Sequence, residues 1–367
     1  MRNLTILVAA LVCSGSTIVL GGGALAQAPA ILGGRPLLHA HNAYPEDGRW
    51  HDRIDRALAT GQVPIVIEQD IAFAPRNEPG KQTVLSHDDT LDGGEPPLQQ
   101  YFFDRVRPII ERALKAGQTD RWPVLVLHLD FKTNERAHHR AVWDLLKTHQ
   151  AWLTTAAADP DSMHVSPYQP GPLLVLTENG AGQEKDFTEW AAGGSHLLFG
   201  SIPAPAIRSS DDAAERARIL RNTAPHELVP TAGTSYRRWV NFSWGAIEEG
   251  GPSAAGEWTR DDERRLEAVV SYAHSQGLFV RFYTLNGHTA AANRGWTASY
   301  NFGSLDAVRA RWSAAIRAKV DLIATDQYEE LASLMRTPLP QAEAQSQLPL
   351  ASKSHWARPR LDTVPRH

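Results

Sequence analysis

Short apolar runs recur along most of the chain and alternate with longer stretches in which apolar residues follow a helical spacing. Brief apolar runs are typical of strands buried in a parallel sheet, and the longer stretches are typical of amphipathic helices. The alternation therefore predicts repeated βα units. The predicted strands, eight in all, cover residues 36–41, 63–70, 124–131, 172–177, 196–199, 239–243, 278–284 and 321–324.

The predicted helices lie between these strands, at residues 54–59, 103–115, 140–147, 261–275 and 305–319. Asp261 is the expected N-cap of the fourth helix, and Gly277 is expected to end it. Eight βα units in about 300 residues match the usual size of a TIM (β/α)8 barrel. The predicted fold class is therefore α/β, with a single barrel domain at residues 33–336. An open doubly wound sheet is the alternative, but no glycine-rich nucleotide-binding turn follows the first strand.

Several segments fall outside this pattern. Residues 83–86 predict a short extra strand in the loop after the second strand, and residues 186–194 fit neither periodicity. Residues 1–26 have the features of a signal peptide, with Arg2, an apolar run at residues 4–12 and a small-residue cleavage site at residues 24–26. An exported protein, periplasmic or secreted if the source is bacterial, is expected. Residues 337–367 are rich in Pro, Gln, Ser and Ala and predict a mostly disordered tail.

Composition narrows the expected partners. The chain has 37 Lys and Arg against 41 Asp and Glu, a formal net charge of −4, so neither nucleic acid nor an anionic membrane is an expected partner. Cys13, the only cysteine, lies in the predicted signal peptide, so the mature form would have no disulfide and no thiol nucleophile. Its remaining apolar runs are too short to span a bilayer. A small substrate is expected, and the sequence does not indicate an oligomeric state.

Polar residues stand at the carboxyl ends of the first three predicted strands. These ends form the catalytic face of a TIM barrel, and residues two apart on a strand point to the same side. Three carboxylates that converge there would repel one another, which predicts a hard cation between them, Ca²⁺ or Mg²⁺. Helix caps or arginine ion pairs are the alternative for a single carboxylate. The strand-end residues are His39, His41 and Asn42, then Glu68 and Asp70, then His128, Asp130 and Lys132.

Two of the 15 histidines stand directly before another polar residue near these strand ends. His41 precedes Asn42, and His87 precedes Asp88. A lone histidine is more often structural. Imidazoles titrate near neutral pH, so a pair on opposite sides of a phosphate can accept one proton and donate another.

In this order the motifs resemble those of the phospholipase C-like phosphodiesterase superfamily, which includes glycerophosphodiester phosphodiesterases and phosphoinositide phospholipases C. Residues 41–44 are similar to its His-Asn-x-Tyr motif, residues 68–70 to its Glu-x-Asp pair, and residues 84–88 to its second-histidine segment. Residues 127–132 are similar to the motif in which an acidic ligand precedes a lysine, with Asp130 where Glu is commoner. The resemblance covers residues 36–334. It is strongest to the altered-inheritance-of-mitochondria phosphodiesterase-like subgroup.

The resemblance implies a metal-dependent phosphoric diester hydrolase that acts on a glycerophosphodiester- or phosphoinositide-like substrate. His41 and His87 would share the general base and general acid roles. The substrate could be a soluble phosphodiester or a lipid headgroup. One Ca²⁺ or Mg²⁺ ion would be held by Asn42, Glu68, Asp70 and Asp130. Further candidates near strand ends are Lys132, Arg281 and Tyr283 for substrate binding, then Glu178, with Asp326 expected to be structural.

Two other interpretations remain open. An amidohydrolase-type metallohydrolase would use His39 and His41 as a metal pair with Asp326, but it leaves Glu68 and His87 without a role. A non-catalytic barrel could instead capture a phosphate-bearing ligand or lipid. Turnover of a chromogenic phosphodiester would separate the enzyme from the binding protein.

Overall fold

The structure of the protein is a computed structural model. It describes Leu32 and residues 34–46, 49–75, 81–159, 161, 164–208, 210–292 and 294–337. The predicted signal peptide, and the predicted tail from residue 338 onward, lie outside the described residues. Among the described residues, no helix combines the length and the apolar character needed to cross a bilayer.

Eight parallel strands close into a barrel, which confirms the predicted α/β TIM-barrel fold. Their order around the barrel is β1-β12-β11-β10-β9-β7-β4-β2, and pairing between β1 and β2 closes it. The strands of the described residues are β1 Leu37–Ala40, β2 Ile65–Phe73, β3 Thr83–Leu85, β4 Leu125–Phe131, β5 Thr155–Ala157, β6 Tyr168–Gln169, β7 Leu173–Thr177, β8 Ser195–His196, β9 Phe199–Ser201, β10 Arg237–Ser243, β11 Phe279–Tyr283 and β12 Leu322–Thr325.

The helices pack around this barrel. Within the described residues they are α1 Arg53–Ala59, α2 Asp104–Ala116, α3 Arg136–Thr148, α4 Gln183–Ala191, α5 Ala213–Asn222, α6 Pro225–Leu228, α7 Arg260–Ser275, α8 Leu305–Arg317 and α9 Tyr328–Arg336. A π-helical turn at Gln99–Phe103 precedes α2. Residues 186–194, which fit neither periodicity in the sequence, belong mainly to α4 and the turn that follows it.

The barrel interior changes from apolar to charged along the strands. On β2, Val66 belongs to an apolar cluster distinct from the one that contains Ile65 and Ile67, as expected when alternate residues face inward and outward. Glu68 and Asp70 follow Val66 at the same spacing of two residues. Apolar side chains therefore fill the amino-terminal half of the barrel, and the charged side chains come together in the carboxyl-terminal half.

The predicted bounds of the fifth barrel strand are wrong. The fifth barrel strand is β9, whereas the predicted strand at residues 196–199 began at His196. His196 instead pairs with Ala156 in a separate antiparallel sheet of order β6-β5-β8. Residues 197–199 are all apolar, and for this reason the strand was predicted to begin and end too early. The barrel strand includes Gly200, where a Cβ would collide with the Tyr236 ring.

Asp261 is not the N-cap of α7. Thr259 is the N-cap, because its hydroxyl accepts from the Asp262 N–H while the Asp262 carboxylate accepts from the Thr259 N–H. This reciprocal pair is a capping box, and it moves the start of the helix to Arg260. Asp261 lies in the first turn, where a negative charge still favours the helix.

The extra strand predicted at residues 83–86 is present as β3. It pairs antiparallel with the end of β2, with Leu85 opposite Ile71 and Thr83 opposite Phe73. β2 is long enough for this pairing because it has nine residues and extends past the barrel. The hairpin brings the chain back toward the mouth of the barrel at Ser86, whose N–H donates to the Asp70 carbonyl at 3.1 Å.

Because of two buried histidines, His138 and His196, we expect the folded protein to lose stability in mild acid. Burial lowers the pKa of His138 to about 4, and burial with the nearby Arg238 does the same for His196. Because each folded-state pKa lies below the ordinary value of 6.5, their contribution is complete above about pH 6.5 and is lost as the pH falls toward 4. For His138 the loss is up to about 3 kcal/mol.

Urea unfolding between pH 7 and pH 4 tests this prediction. His138→Phe keeps a ring beside Phe73 and Phe131, and it should reduce the pH dependence of the unfolding free energy. His51→Gln, at an exposed histidine, should leave that dependence unchanged. An unaltered slope in His138→Phe would show that His138 is not held neutral in the folded protein.

Candidate active site

A cavity of about 350 Å³ lies at the carboxyl ends of the barrel strands. All nine residues that were predicted from the sequence to form the site lie in the wall of this cavity. Their roles stay predictions. Four other residues complete the wall, and nearly every side chain in it is polar or charged. The nine are His41, Asn42, Glu68, Asp70, His87, Asp130, Lys132, Arg281 and Tyr283, and the four are Glu178, Asn241, Thr297 and Tyr300.

Three carboxylates converge in this cavity, as the strand-end positions predicted. Glu68, Asp70 and Asp130 each contribute an oxygen, and these oxygens all lie within 4.8 Å of one another. Strand register causes this, because Asp70 lies beside Asp130 in the β2–β4 pair and Glu68 precedes Asp70 by two residues. Burial, followed by repulsion from Asp130, raises the pKa of Asp70 to about 6. The cluster therefore favours a neighbouring positive charge.

Lys132 supplies one such charge. Its Nζ lies 2.8 Å from Asp70 Oδ2 and 2.9 Å from Asp130 Oδ2. Burial alone would lower the pKa of Lys132, but the two carboxylates outweigh it and raise the pKa. The amine therefore remains charged at the edge of the cavity. Lys132 therefore forms ion pairs with Asp70 and Asp130 at the same time.

Glu68 is contacted at both carboxylate oxygens. Arg281 Nη2 donates to Oε1 at 2.8 Å, and the Asn42 N–H donates to Oε2 at 3.3 Å. His128 Nδ1 lies 3.2 Å from Oε1. Burial alone would raise the pKa of Glu68, but Arg281, then His41 and His128, hold the pKa well below its ordinary value. Glu68 is therefore ionised at neutral pH inside the barrel.

His128 lies beneath the cavity, between two carboxylates. Its ring nitrogens lie 3.2 Å from Glu68 and 3.2 Å from Glu178, and its side chain is fully buried. Burial alone would lower the pKa of His128, but hydrogen bonding to Glu178 and Glu68 raises it to about 9. No role was predicted for His128. Its signal was a histidine at an inward position of an otherwise apolar strand.

His39 is a buried neighbour of the site and not part of the cavity wall. Its Nδ1 accepts a hydrogen bond of 3.1 Å from Arg281 Nε. A neutral imidazole carries one proton, so that proton must be on Nε2, which then cannot bind a metal ion. Burial, followed by Arg281, lowers the pKa of His39 well below its ordinary value. This arrangement disfavours the amidohydrolase interpretation, which required His39 and His41 as metal ligands.

His41 lies between two carboxylates. Its Nδ1 lies 3.3 Å from Asp326 Oδ2, and its Nε2 lies 3.8 Å from Glu68 Oε2. Burial alone would lower the pKa of His41, but Glu68 and then Asp326 raise it. Asp326 thereby holds one ring nitrogen of a histidine that lines the cavity. A buried carboxylate in this position fixes both the ring orientation and the tautomer of a catalytic histidine.

Asp326 was expected to be structural, and its role stays a prediction. In the structure it contacts His41. Asp326 follows β12, which pairs with β1, so the ends of these two strands lie side by side and the His41 N–H donates to the Thr325 carbonyl at 3.2 Å. Pairing of neighbouring parallel strands therefore brings Asp326 close to His41, as it brings Glu68 close to Asp130. A sequence signal existed, since an acidic residue stands two positions after the end of the last predicted strand.

No protein-family model matches the chain. No curated protein matches it either.

Among solved structures, a glycerophosphoryl diester phosphodiesterase from Parabacteroides distasonis is 14% identical over 86% of this chain and 90% of that chain, with a TM-score of 0.38. A dihydropteroate synthase from Thermus thermophilus is 15% identical over 83% and 93%, with a TM-score of 0.36. Another, from Burkholderia cenocepacia, is 14% identical over 82% and 89%, with a TM-score of 0.34. Similarity at this level does not distinguish the chemistry of one barrel from that of another.

His87 lies at the rim of the cavity. It follows the β2–β3 hairpin, and 53% of its side chain is exposed. Its Nδ1 lies 3.9 Å from Asp88 Oδ1, beyond hydrogen-bonding distance. His87 is therefore held much less tightly than His41. The sequence proposed the two as a pair, and the structure places both at one cavity with different surroundings.

The opposite wall contains residues that only partly followed from the sequence. Arg281 Nη1 donates to Asn241 Oδ1 at 3.0 Å, and Asn241 Nδ2 donates to Glu178 Oε1 at 3.0 Å. Asn241 was missed, although an amide between the apolar residues Val240 and Phe242 of the predicted strand at residues 239–243 was a usable signal. Tyr300 packs against Tyr283 with ring centroids 5.9 Å apart. Because Tyr300 comes from a long loop, no periodicity could have indicated it.

The donors in the cavity fit a hard divalent cation. Three carboxylate oxygens at this spacing are typical ligands of Ca²⁺ or Mg²⁺. The raised pKa of Asp70 shows the repulsion that such a charge would relieve. Asn42 has a left-handed backbone conformation, with φ +52°, and its Oδ1 accepts a 3.0 Å bond from Tyr44 OH. Tyr44 OH also lies 2.8 Å from Asp70, so the Asn42 amide oxygen lies close to the acidic cluster.

Proposed function

We propose that the protein is a phosphoric diester hydrolase with His41 and His87 as its proton-transfer residues. One observation carries this proposal: a histidine oriented by a buried carboxylate lines the same small polar cavity as three carboxylates, Lys132 and Arg281. Phosphodiester cleavage is accelerated by proton transfer and by positive charge at the phosphate oxygens, and a bound metal ion would add to that charge. The predicted signal peptide would place this activity in the periplasm or the medium.

His41 is suited to accept the proton of the attacking hydroxyl. With its proton on Nδ1, facing Asp326 Oδ2, the neutral ring would have its lone pair on Nε2, the nitrogen nearer Glu68. The nucleophile is water or, where the substrate has a neighbouring hydroxyl, that hydroxyl with a cyclic phosphate as the first product. His87, at the open rim, would donate a proton to the leaving alcohol.

Lys132 and Arg281 would orient the phosphate by contacts to its oxygens. Both side chains line the cavity, and both are already positioned by carboxylates, which lowers the cost of ordering them when substrate binds. A Ca²⁺ or Mg²⁺ ion held by Glu68, Asp70, Asp130 and Asn42 would offset the negative charge that develops on the phosphate. Tyr283 and Tyr300 would limit the space left for the alcohol.

Metal removal tests the proposal. The purified protein is expected to hydrolyse bis(p-nitrophenyl) phosphate and a glycerophosphodiester, to lose that activity after treatment with a chelator, and to regain it with Ca²⁺ or Mg²⁺. The physical reason is the repulsion among Glu68, Asp70 and Asp130, which Lys132 alone offsets only in part. Metal analysis of the protein before and after chelation gives the stoichiometry.

Two results would contradict parts of this proposal. Full activity in chelator would remove the ion from the mechanism and leave Lys132 and Arg281 as the only positive charges at the phosphate. Absence of turnover with every phosphodiester, together with binding of inorganic phosphate, would support the non-catalytic barrel instead.

A further inference from the structure

Asn286 lies behind His41, outside the set of residues that form the cavity wall. It follows β11, and only 1% of its surface is exposed. Its Nδ2 donates to Asp326 Oδ2 at 2.6 Å. Its Oδ1 accepts from the Thr325 hydroxyl at 2.9 Å and from the Asp326 N–H at 2.8 Å. The side-chain amide thus holds both the backbone and the carboxylate of Asp326.

The Asp326 oxygen that accepts from Asn286 is also the one nearest His41. His41 Nδ1 lies 3.3 Å from this same Oδ2. The other oxygen, Oδ1, accepts from Asn42 Nδ2 at 3.2 Å and lies 3.8 Å from Arg53 Nη2. Without the Asn286 bond, the carboxylate could rotate toward Arg53 and away from His41. Asn286 therefore determines which Asp326 oxygen His41 meets.

The backbone of Asn286 has a second connection, to the loop that covers the mouth. Its N–H donates to the Tyr300 carbonyl at 2.9 Å, and its carbonyl accepts from the Phe302 N–H at 2.8 Å. This pairing closes the neck of the loop that brings Thr297 and Tyr300 to the cavity. The Tyr300 ring lies 5.8 Å from the His41 ring. One residue thus joins the mouth loop to the support of His41.

We propose that Asn286 is a positioning residue that acts on His41 through Asp326. The inference rests on the proposed function, in which His41 accepts a proton. A residue in this place changes the rate of the chemical step because misorientation of a proton acceptor by about 1 Å costs as much as about 100-fold. Asn286 has no contact with the substrate cavity itself, so its loss should leave substrate binding nearly unchanged.

Two variants of Asn286 test this proposal, with Asn301→Ala as the matched control. Asn286→Ala removes the amide, and the isosteric Asn286→Asp keeps an acceptor for Thr325 but puts a second carboxyl group against Asp326 in place of the amide donor. Asn301 fixes the neck of the same loop, with Oδ1 accepting from the His288 and Gly303 N–H groups and Nδ2 donating to the His288 carbonyl. Asn301→Ala therefore disturbs the loop without removing the bond to Asp326.

Both Asn286 variants are expected to lower kcat by about 10- to 100-fold with KM changed less than about twofold. Asn301→Ala should keep kcat within about twofold of the wild type. A double-mutant cycle adds a readout that a structural role alone would not move: in an Asp326→Ala background, Asn286→Ala should lower kcat no further. If Asn286→Ala does not fold, Asn286→Asp alone serves in both comparisons.

Equal losses of kcat in Asn286→Asp and Asn301→Ala would overturn the proposal, as would an undiminished Asn286 effect in the Asp326→Ala background. If the wild-type protein hydrolyses no phosphodiester, the proposed function fails, and crystal structures decide the Asn286 inference separately. A His41 Nδ1 to Asp326 Oδ2 separation that lengthens in Asn286→Asp and not in Asn301→Ala would support it. An unchanged separation in both would refute it.

Discussion

His41→Ala is expected to lower kcat for a phosphodiester by about 10²- to 10⁴-fold, the usual contribution of a general acid or base. The substitution removes a histidine whose Nδ1 lies 3.3 Å from Asp326 and whose ring lines the cavity. His51→Ala is the control, because this exposed histidine does not line the catalytic cavity. Wild-type turnover in His41→Ala would rule out the proposed proton acceptor.

His87→Ala is expected to cause a loss of similar size, about 10²-fold or more, when the leaving group is an alcohol such as glycerol. With p-nitrophenol, which leaves readily as an anion, the loss should be much smaller. His41→Ala should show no such dependence on the leaving group. This contrast assigns the base to His41 and the acid to His87, and the reverse pattern would exchange the two roles.

The pH dependence of turnover has a defined sign. Glu68 and Asp326 raise the pKa of His41 despite its burial, so the neutral ring needed for proton acceptance forms at a higher pH than in an ordinary histidine. Activity should therefore rise with pH along the acidic limb. The midpoint of this limb should move to lower pH in Asp326→Asn, because the substitution removes one of the two charges that raise the pKa.

The second large effect is expected for stability. Glu68→Gln should lower the free energy of unfolding by about 3–5 kcal/mol, the usual result of removing one partner from a buried charge pair. The isosteric amide would leave Arg281 and His128 inside the barrel with the partly exposed Glu178 carboxylate as their remaining shared partner. Urea unfolding at pH 7 measures the difference. Glu178→Gln is the matched control, and it should cost far less because 24% of its side chain is exposed.

The stability effect of Glu68→Gln should depend on pH. The folded-state pKa of Glu68 lies well below 4.5, so its contribution is present above the unfolded-state value and disappears as the pH falls through the folded-state value. Wild-type and variant stabilities should therefore converge in strong acid. Equal urea midpoints at pH 7 would show that Glu68 does not stabilise the interior charges.

The sequence was sufficient where the physical constraint is periodic. Strands buried on both faces must be apolar, so Glu68, Asp70 and Asp130 stood out at positions that a barrel turns toward one mouth. The same reasoning predicts that Asp326 lies close to His41 if the last strand of the barrel is assumed to pair with the first strand. That step needs the pairing of β12 with β1, which only a closed sheet requires.

Other features could not be predicted because no periodic signal specifies them. Thr259 replaced Asp261 as an N-cap because the reciprocal bond with Asp262 depends on local backbone geometry. Tyr300 and Thr297 reach the cavity from a loop whose course is fixed by bonds at Asn286 and Asn301. The charged state of His128 depends on two carboxylates that meet only in the folded barrel.

The two proposed proton-transfer residues are built on supports of different stiffness. His41 directly follows β1, which is paired on both sides within the closed sheet, whereas His87 follows β3, a three-residue strand that pairs along one edge of β2 beyond the barrel. His41 is thus held by the closed sheet of the barrel, whereas His87 is held by a short hairpin outside the barrel. Lengthening or shortening that hairpin would change which alcohols His87 can reach, while the barrel and its buried charges stay intact.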